Sequence, residues 1–130
     1  MAKLKDLPAG KTLYARLERF IRQERGFRRT LGRNTVARLT ARDGLLSVAV
    51  ALYSTDVIVA NELGHIMLNS DGYRTVTTKD RINRILHGTP LVVFQKQGVW
   101  FVKNHDLDHV ATFSDGIEYY RGADGLYRRW

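Results

Sequence analysis

Apolar positions along this chain change period several times. Between residues 11 and 25 they recur helically: Leu13, Leu17, Phe20 and Ile21 stand at i, i+4, i+7 and i+8. Tyr14 widens that stripe, and Arg16, Arg19, Arg22 and Arg25 recur every three residues on the other side. Thr12 is placed to cap this helix and Gly26 to stop it. Residues 27–33 read as a basic connector. From residue 34 the pattern is that of short strands, at 34–40, 45–53, 57–60, 65–69 and 73–76. Asp43-Gly44 between the first two is a hairpin turn signal. Residues 77–87 return to helical spacing, with Ile82, Ile85 and Leu86 as the buried stripe and Thr77 or Thr78 as cap. Gly88 ends that helix and Pro90 prevents its return. A second set of strands follows at 91–95, 99–103, 109–113 and 117–120.

The order helix, strands, helix, strands predicts an α+β fold. Short connections make the strands antiparallel, in a curved sheet with an N-terminal helix and a second helix at about 77–87. A chain of 130 residues with 44% hydrophobic content suffices for one core. It has no cysteine, which excludes disulfides, thiolate metal sites and cysteine nucleophiles. No secretory apolar segment follows Met1, and the longest apolar run, at 45–53, is too short to span a bilayer. The expectation is a cytoplasmic protein with no membrane partner.

Charge sharpens this picture. Residues 1–33 hold ten lysines and arginines against three acids, which is +7 of the chain's net +8. Such a block attracts polyanions: nucleic acid, an acidic protein or an anionic surface. The plainer alternative is a solvated face that only aids solubility.

For phosphate contact the candidates are Arg16, Arg19, Arg22, Arg25, Arg28 and Arg29 in the first block. A second group is Arg74, Thr77, Thr78, Lys79, Arg81 and Arg84, around the start of the second helix, where unpaired amides favour anions. The plain reading is that the threonines cap and the basic side chains are solvated. Aromatic residues interleaved with bases, Tyr73 and Trp100 foremost, are candidate stacking groups, against the commoner fate of sheet aromatics in a core. Trp100 and Phe101 must point to opposite faces. His105 and His109 are four apart, but in a loop context without a third ligand, so no metal is expected. No nucleophile elbow, phosphate loop or zinc-protease motif occurs. Asp56, Glu62, Asp71 and Asp80 sit where turns and caps use acids anyway. The chain therefore reads as no enzyme, with no cofactor.

The segments Arg33-Asn-Thr-Val36, Val50-Ala-Leu-Tyr-Ser-Thr-Asp-Val57, the run from Ile66 to Asn83 and Val93-Phe-Gln-Lys-Gln-Gly-Val-Trp-Phe-Val102 give a resemblance. With Phe113-Ser-Asp-Gly-Ile117, they make residues 32–117 similar to a family of small bacteriophage-encoded proteins. The resemblance implies a phage or prophage origin and action inside an infected bacterium. It implies a division into a basic helical extension at 1–31 and a single α+β domain at 32–130. Three functions fit: nucleic-acid binding through phosphates, DNA or RNA; inhibition of a host defence complex by protein binding, as anti-CRISPR proteins do; and a structural phage protein that assembles with itself.

Overall fold

The computed structural model describes residues 7–130, so Lys3, Lys5 and Asp6 of the basic block lie outside the described residues. The elements in chain order are α1 (Leu13–Arg22), β1 (Arg28–Gly32), β2 (Thr35–Arg42), β3 (Leu45–Leu52), β4 (Thr55–Asn61) and β5 (Ile66–Leu68). Then come α2 (Val76–Leu86), β6 (Leu91–Lys96), β7 (Val99–Asn104), β8 (His109–Thr112), β9 (Ile117–Arg121) and β10 (Tyr127–Arg129). The α+β class and antiparallel pairing stand, but there are two sheets rather than one. Seven strands pair in the order β1-β2-β3-β4-β5-β9-β10, and β6-β7-β8 form a separate sheet. The second sheet and α2 are inserted between β5 and β9, which pair with each other.

Register puts apolar side chains in rows across the large sheet. Val50 lies opposite Ile58, Ile58 opposite Leu68, and Leu68 opposite Ile117. Because alternate residues face opposite sides, this row fixes the buried face of four strands. Leu13, Leu17, Phe20 and Ile21 of α1, Ile82, Ile85 and Leu86 of α2, and Val93, Trp100 and Val102 of the small sheet join it in one core. The boundary expected between residues 31 and 32 falls inside β1, whose Leu31 is itself in that core.

Several elements differ from their sequence reading. α1 stops at Arg22, with Thr12 as its cap accepting from the Ala15 amide at 3.1 Å. The stretch that reads as a connector forms strand β1, because β2 satisfies its backbone and the Phe27 carbonyl accepts from the Leu39 amide at 2.7 Å. Residues 73–76 form no strand. The amides of Tyr73, Arg74 and Thr75 donate to Ser70, Gly72 and Tyr73 in successive tight turns, leaving none for a ladder. The cap of α2 is Thr75, not Thr77 or Thr78. It has extended backbone, and its hydroxyl accepts from the Thr78 amide at 3.1 Å. The Asp43-Gly44 turn is as expected, with φ of 53° and 78°, the mirror-image turn that suits the twist of a two-residue hairpin. β10 is a strand that three apolar-poor residues, Tyr-Arg-Arg, did not announce.

Candidate nucleic-acid interface

The arginines of α1 do not form a free row. Arg16 crosses to the end of α2, donating to the His87 carbonyl at 2.8 Å and, through Nε, to the Pro8 carbonyl at 3.2 Å. Arg19 donates to the Ala9 carbonyl at 2.9 Å. Arg22 pairs with Glu18 one turn back. Arg29 is half-buried on β1: its guanidinium lies 4.1 Å from the Phe20 ring centroid, donates to the Phe20 carbonyl, and pairs with Glu24. Four of the six basic candidates in this block therefore tie the chain together. Charge remains on them, and each has part of its guanidinium directed to a partner within the chain.

Arg25 and Arg28, with Arg33 in the β1–β2 turn, are different. All three are exposed, and none has an acid or carbonyl partner among the described residues. Phe27 lies between the first two, 73% exposed while its backbone is fixed by Leu39. β1 is the last strand of the large sheet; Arg28 stands on this edge strand, with Arg25 and Phe27 leading into it and Arg33 in the turn after its other end. On the neighbouring strand Arg38 stands directly opposite Arg28, and Asp56 of β4 holds it with two bonds of 2.5 and 2.7 Å. Sequence pattern does not single out Phe27 or Arg33. The available signal is Phe27 itself, one large apolar residue set in Arg25-Gly-Phe-Arg28 with no periodic partner.

The second group of candidates divides as well. Arg74 turns inward, its guanidinium 4.9 Å from the Phe113 centroid and its Nε donating to the Ser70 hydroxyl at 3.3 Å. It also faces Asp115 at 3.9 Å. Asp115 accepts from the Ser70 amide, the Ser70 hydroxyl and the Gly72 amide. Burial works to raise the Asp115 pKa, but these bonds and Arg74 outweigh it and hold the carboxyl below its ordinary value. Lys79 donates to Gln95, Arg84 pairs with Asp80 at 3.0 Å, and the Thr78 hydroxyl is buried against that of Thr75. The Nε of Arg81 is buried without a hydrogen-bond partner among the described residues. Of this group only Thr77 presents an unengaged hydroxyl to an open cleft.

That cleft has a volume of about 480 Å³. Its walls are Leu52, Tyr53, Ser54 and Thr55 from the β3–β4 hairpin, Val57 of β4, and Ser70, Tyr73, Thr75, Thr77 and Thr78 around the start of α2. Tyr73 is 63% exposed, as a stacking candidate must be. Trp100 is 2% exposed, edge-on to Phe113 at 5.5 Å, and has no face to offer a ligand. The alternation of β7 sends Trp100 inward and Phe101 outward, where it stacks on Phe94.

No group of three or more His, Asp or Glu that could hold a metal ion occurs among the described residues. Among them, no helix is long and apolar enough to cross a membrane. No curated protein and no solved structure matches the chain. One family model, described as Kyanoviridae Gp96 protein, matches residues 13–122 and so takes in α1 and β1, which the sequence resemblance leaves outside. With the greater part of its length matched, the chain belongs to this family of phage proteins.

Proposed function

We propose that this protein binds nucleic acid through phosphate contacts made along the β1 edge. The observation that carries the reading is the strip of Arg25, Phe27, Arg28 and Arg33: three exposed guanidinium groups, without partners among the described residues, and an exposed ring, on and flanking an edge strand. Guanidinium groups so placed are suited to phosphate oxygens, and such contacts position a strand without reading its sequence. The chain's +8 net charge adds long-range attraction. The test is a titration of fluorescent oligonucleotides across a salt series, with the wild type and an Arg25→Glu/Arg28→Glu/Arg33→Glu variant. Affinity should fall linearly on a log–log salt plot, and the variant should flatten the slope by about 0.7–0.9 for each phosphate it no longer engages. No retardation of any oligonucleotide at low salt would end this reading.

A second reading, capture of a host protein, has one observation in its favour. The outer face of the small sheet exposes Val92, Val99 and Val110 around the Phe94–Phe101 stack. Lys103 stands between Val92 and Val110 in the register, and exposed apolar side chains grouped on one sheet face in this way mark protein contacts. If it serves that purpose, Phe101→Lys should abolish recovery of the host protein on tagged bait while leaving oligonucleotide affinity unchanged.

A further inference from the structure

The cleft between the β3–β4 hairpin and α2 has a composition unlike the rest of this basic molecule. None of its ten lining residues is charged, and eight carry a hydroxyl. Ser70 is held by Asp115, and Thr75 and Thr78 satisfy one another. The hydroxyls of Tyr53, Ser54, Thr55, Tyr73 and Thr77 have no partner among the described residues, and these five residues line a space of about 480 Å³. That is within the range of roughly 300–1,000 Å³ that small-ligand pockets occupy. Tyr53 and Tyr73 stand 72% and 63% exposed. Tyr53 is held at φ 56°, a conformation that costs a large side chain energy, so the hairpin keeps this ring at the cleft at some expense.

These features select a ligand chemistry. An anion would find no ion-pair partner in the walls, whereas the arginine strip outside offers several. A planar, uncharged group with donors and acceptors on its rim finds aromatic faces to stack on and hydroxyls that serve either sense of hydrogen bond. The cleft also adjoins the strip. The Tyr53 amide donates to the Asn34 carbonyl at 2.7 Å, and Asn34 follows the exposed Arg33 in the β1–β2 turn. From this arrangement we infer that the Tyr53–Tyr73 cleft receives an unpaired nucleobase while the β1 arginines hold the adjoining phosphates, which makes the substrate single-stranded nucleic acid. The inference rests on the nucleic-acid reading above and assigns its substrate class. A base in a duplex is stacked and paired and cannot enter such a cleft, so the preference for single strands is a consequence of the geometry.

The experiment compares three probes of equal length: a mixed-sequence single strand, its duplex, and the same single strand with abasic positions throughout. Each is titrated with wild type, with Tyr53→Ala/Tyr73→Ala, and with Tyr53→Phe/Tyr73→Phe. Both side chains are exposed and outside the core, so the variants should fold, which circular dichroism checks. Wild type should prefer the single strand to the duplex and to the abasic strand. The alanine pair should lose roughly tenfold or more on the single strand, with little change on the other two probes, and the phenylalanine pair should keep most of the affinity. Equal affinity for all three probes, or a single-strand affinity indifferent to the alanine pair, overturns this inference and leaves phosphate binding standing. Failure of wild type to bind any probe overturns both.

Discussion

Asp115 accepts both the amide and the hydroxyl of Ser70, at 2.8 and 2.6 Å, from 45 residues away in the chain. Ser70 is fully buried and forms part of the floor of the hydroxyl-lined cleft. One carboxylate therefore pins the segment that leads into α2 to the turn that leads into β9. Arg74, held against Asp115 and lying on Phe113, completes the clasp.

Removing that carboxylate should be costly for its partners. Asp115→Ala leaves the Ser70 amide and hydroxyl buried without acceptors, a loss of about 1–3 kcal/mol. Urea unfolding of the variant checks the size. The sign of the pH effect follows from the depressed pKa. A group ionised more readily when folded stabilises at pH above its ordinary value of 3.8 and loses that contribution as the pH falls through the folded value. Wild type should lose stability through this acid range, and Asp115→Asn should show a shallower acid limb.

The start of α2 separates cap from bystander. Thr75→Ala removes the hydroxyl that takes the Thr78 amide and should cost about 1 kcal/mol. Thr77→Ala, at the neighbouring position favoured by sequence pattern, removes a hydroxyl without a partner among the described residues and should leave the melting temperature nearly unchanged. Equal losses at the two positions would mean that Thr75 does not cap the helix.

The two helical stripes and most of the strands are legible in the sequence because burial on one face imposes a period that the residues display directly. Leu13, Leu17, Phe20 and Ile21 are all buried, as their spacing demands. What is not legible depends on a pairing partner rather than on a period. β1 exists because β2 satisfies it, and β10 because β9 does. Arg-Arg-Thr-Leu-Gly and Tyr-Arg-Arg carry no period of their own. The candidate site is hidden in sequence for the same reason. Spacing identifies Arg16, Arg29 and Arg74 as basic, but only the fold shows that His87, Phe20 and Asp115 engage them. Tyr73 and Tyr53 share a cleft although a strand pair and a turn separate them in sequence.

Trp100 gives a prediction of the opposite kind from Tyr73. Trp100→Ala empties a fully enclosed position against Phe113 and should cost about 3–5 kcal/mol, enough to unfold a marginal domain. Tyr73→Ala removes an exposed ring and should leave stability within about 0.5 kcal/mol. Thermal melts of the two variants side by side distinguish core from surface aromatics, and a stable Trp100→Ala would contradict its placement.

Asp56 tests whether the surface beside β1 is charge-tuned. Its carboxylate takes both terminal nitrogens of Arg38, and Arg38 lies opposite Arg28 in the β1–β2 register. Both side chains are partly exposed, so the pair should contribute less than about 1 kcal/mol to stability. Its larger effect is on charge: with Asp56 in place, one arginine beside the proposed phosphate strip is neutralised. Asp56→Asn should therefore strengthen oligonucleotide binding and steepen the salt slope by about 0.7–0.9, as one more guanidinium becomes available to a phosphate. Arg38→Gln in the wild-type background should weaken binding, because it leaves the Asp56 carboxylate unpaired beside Arg28, where it repels phosphate. If instead Asp56→Asn leaves both affinity and slope unchanged, the phosphate path does not cross from β1 to β2 and is confined to the outermost strand.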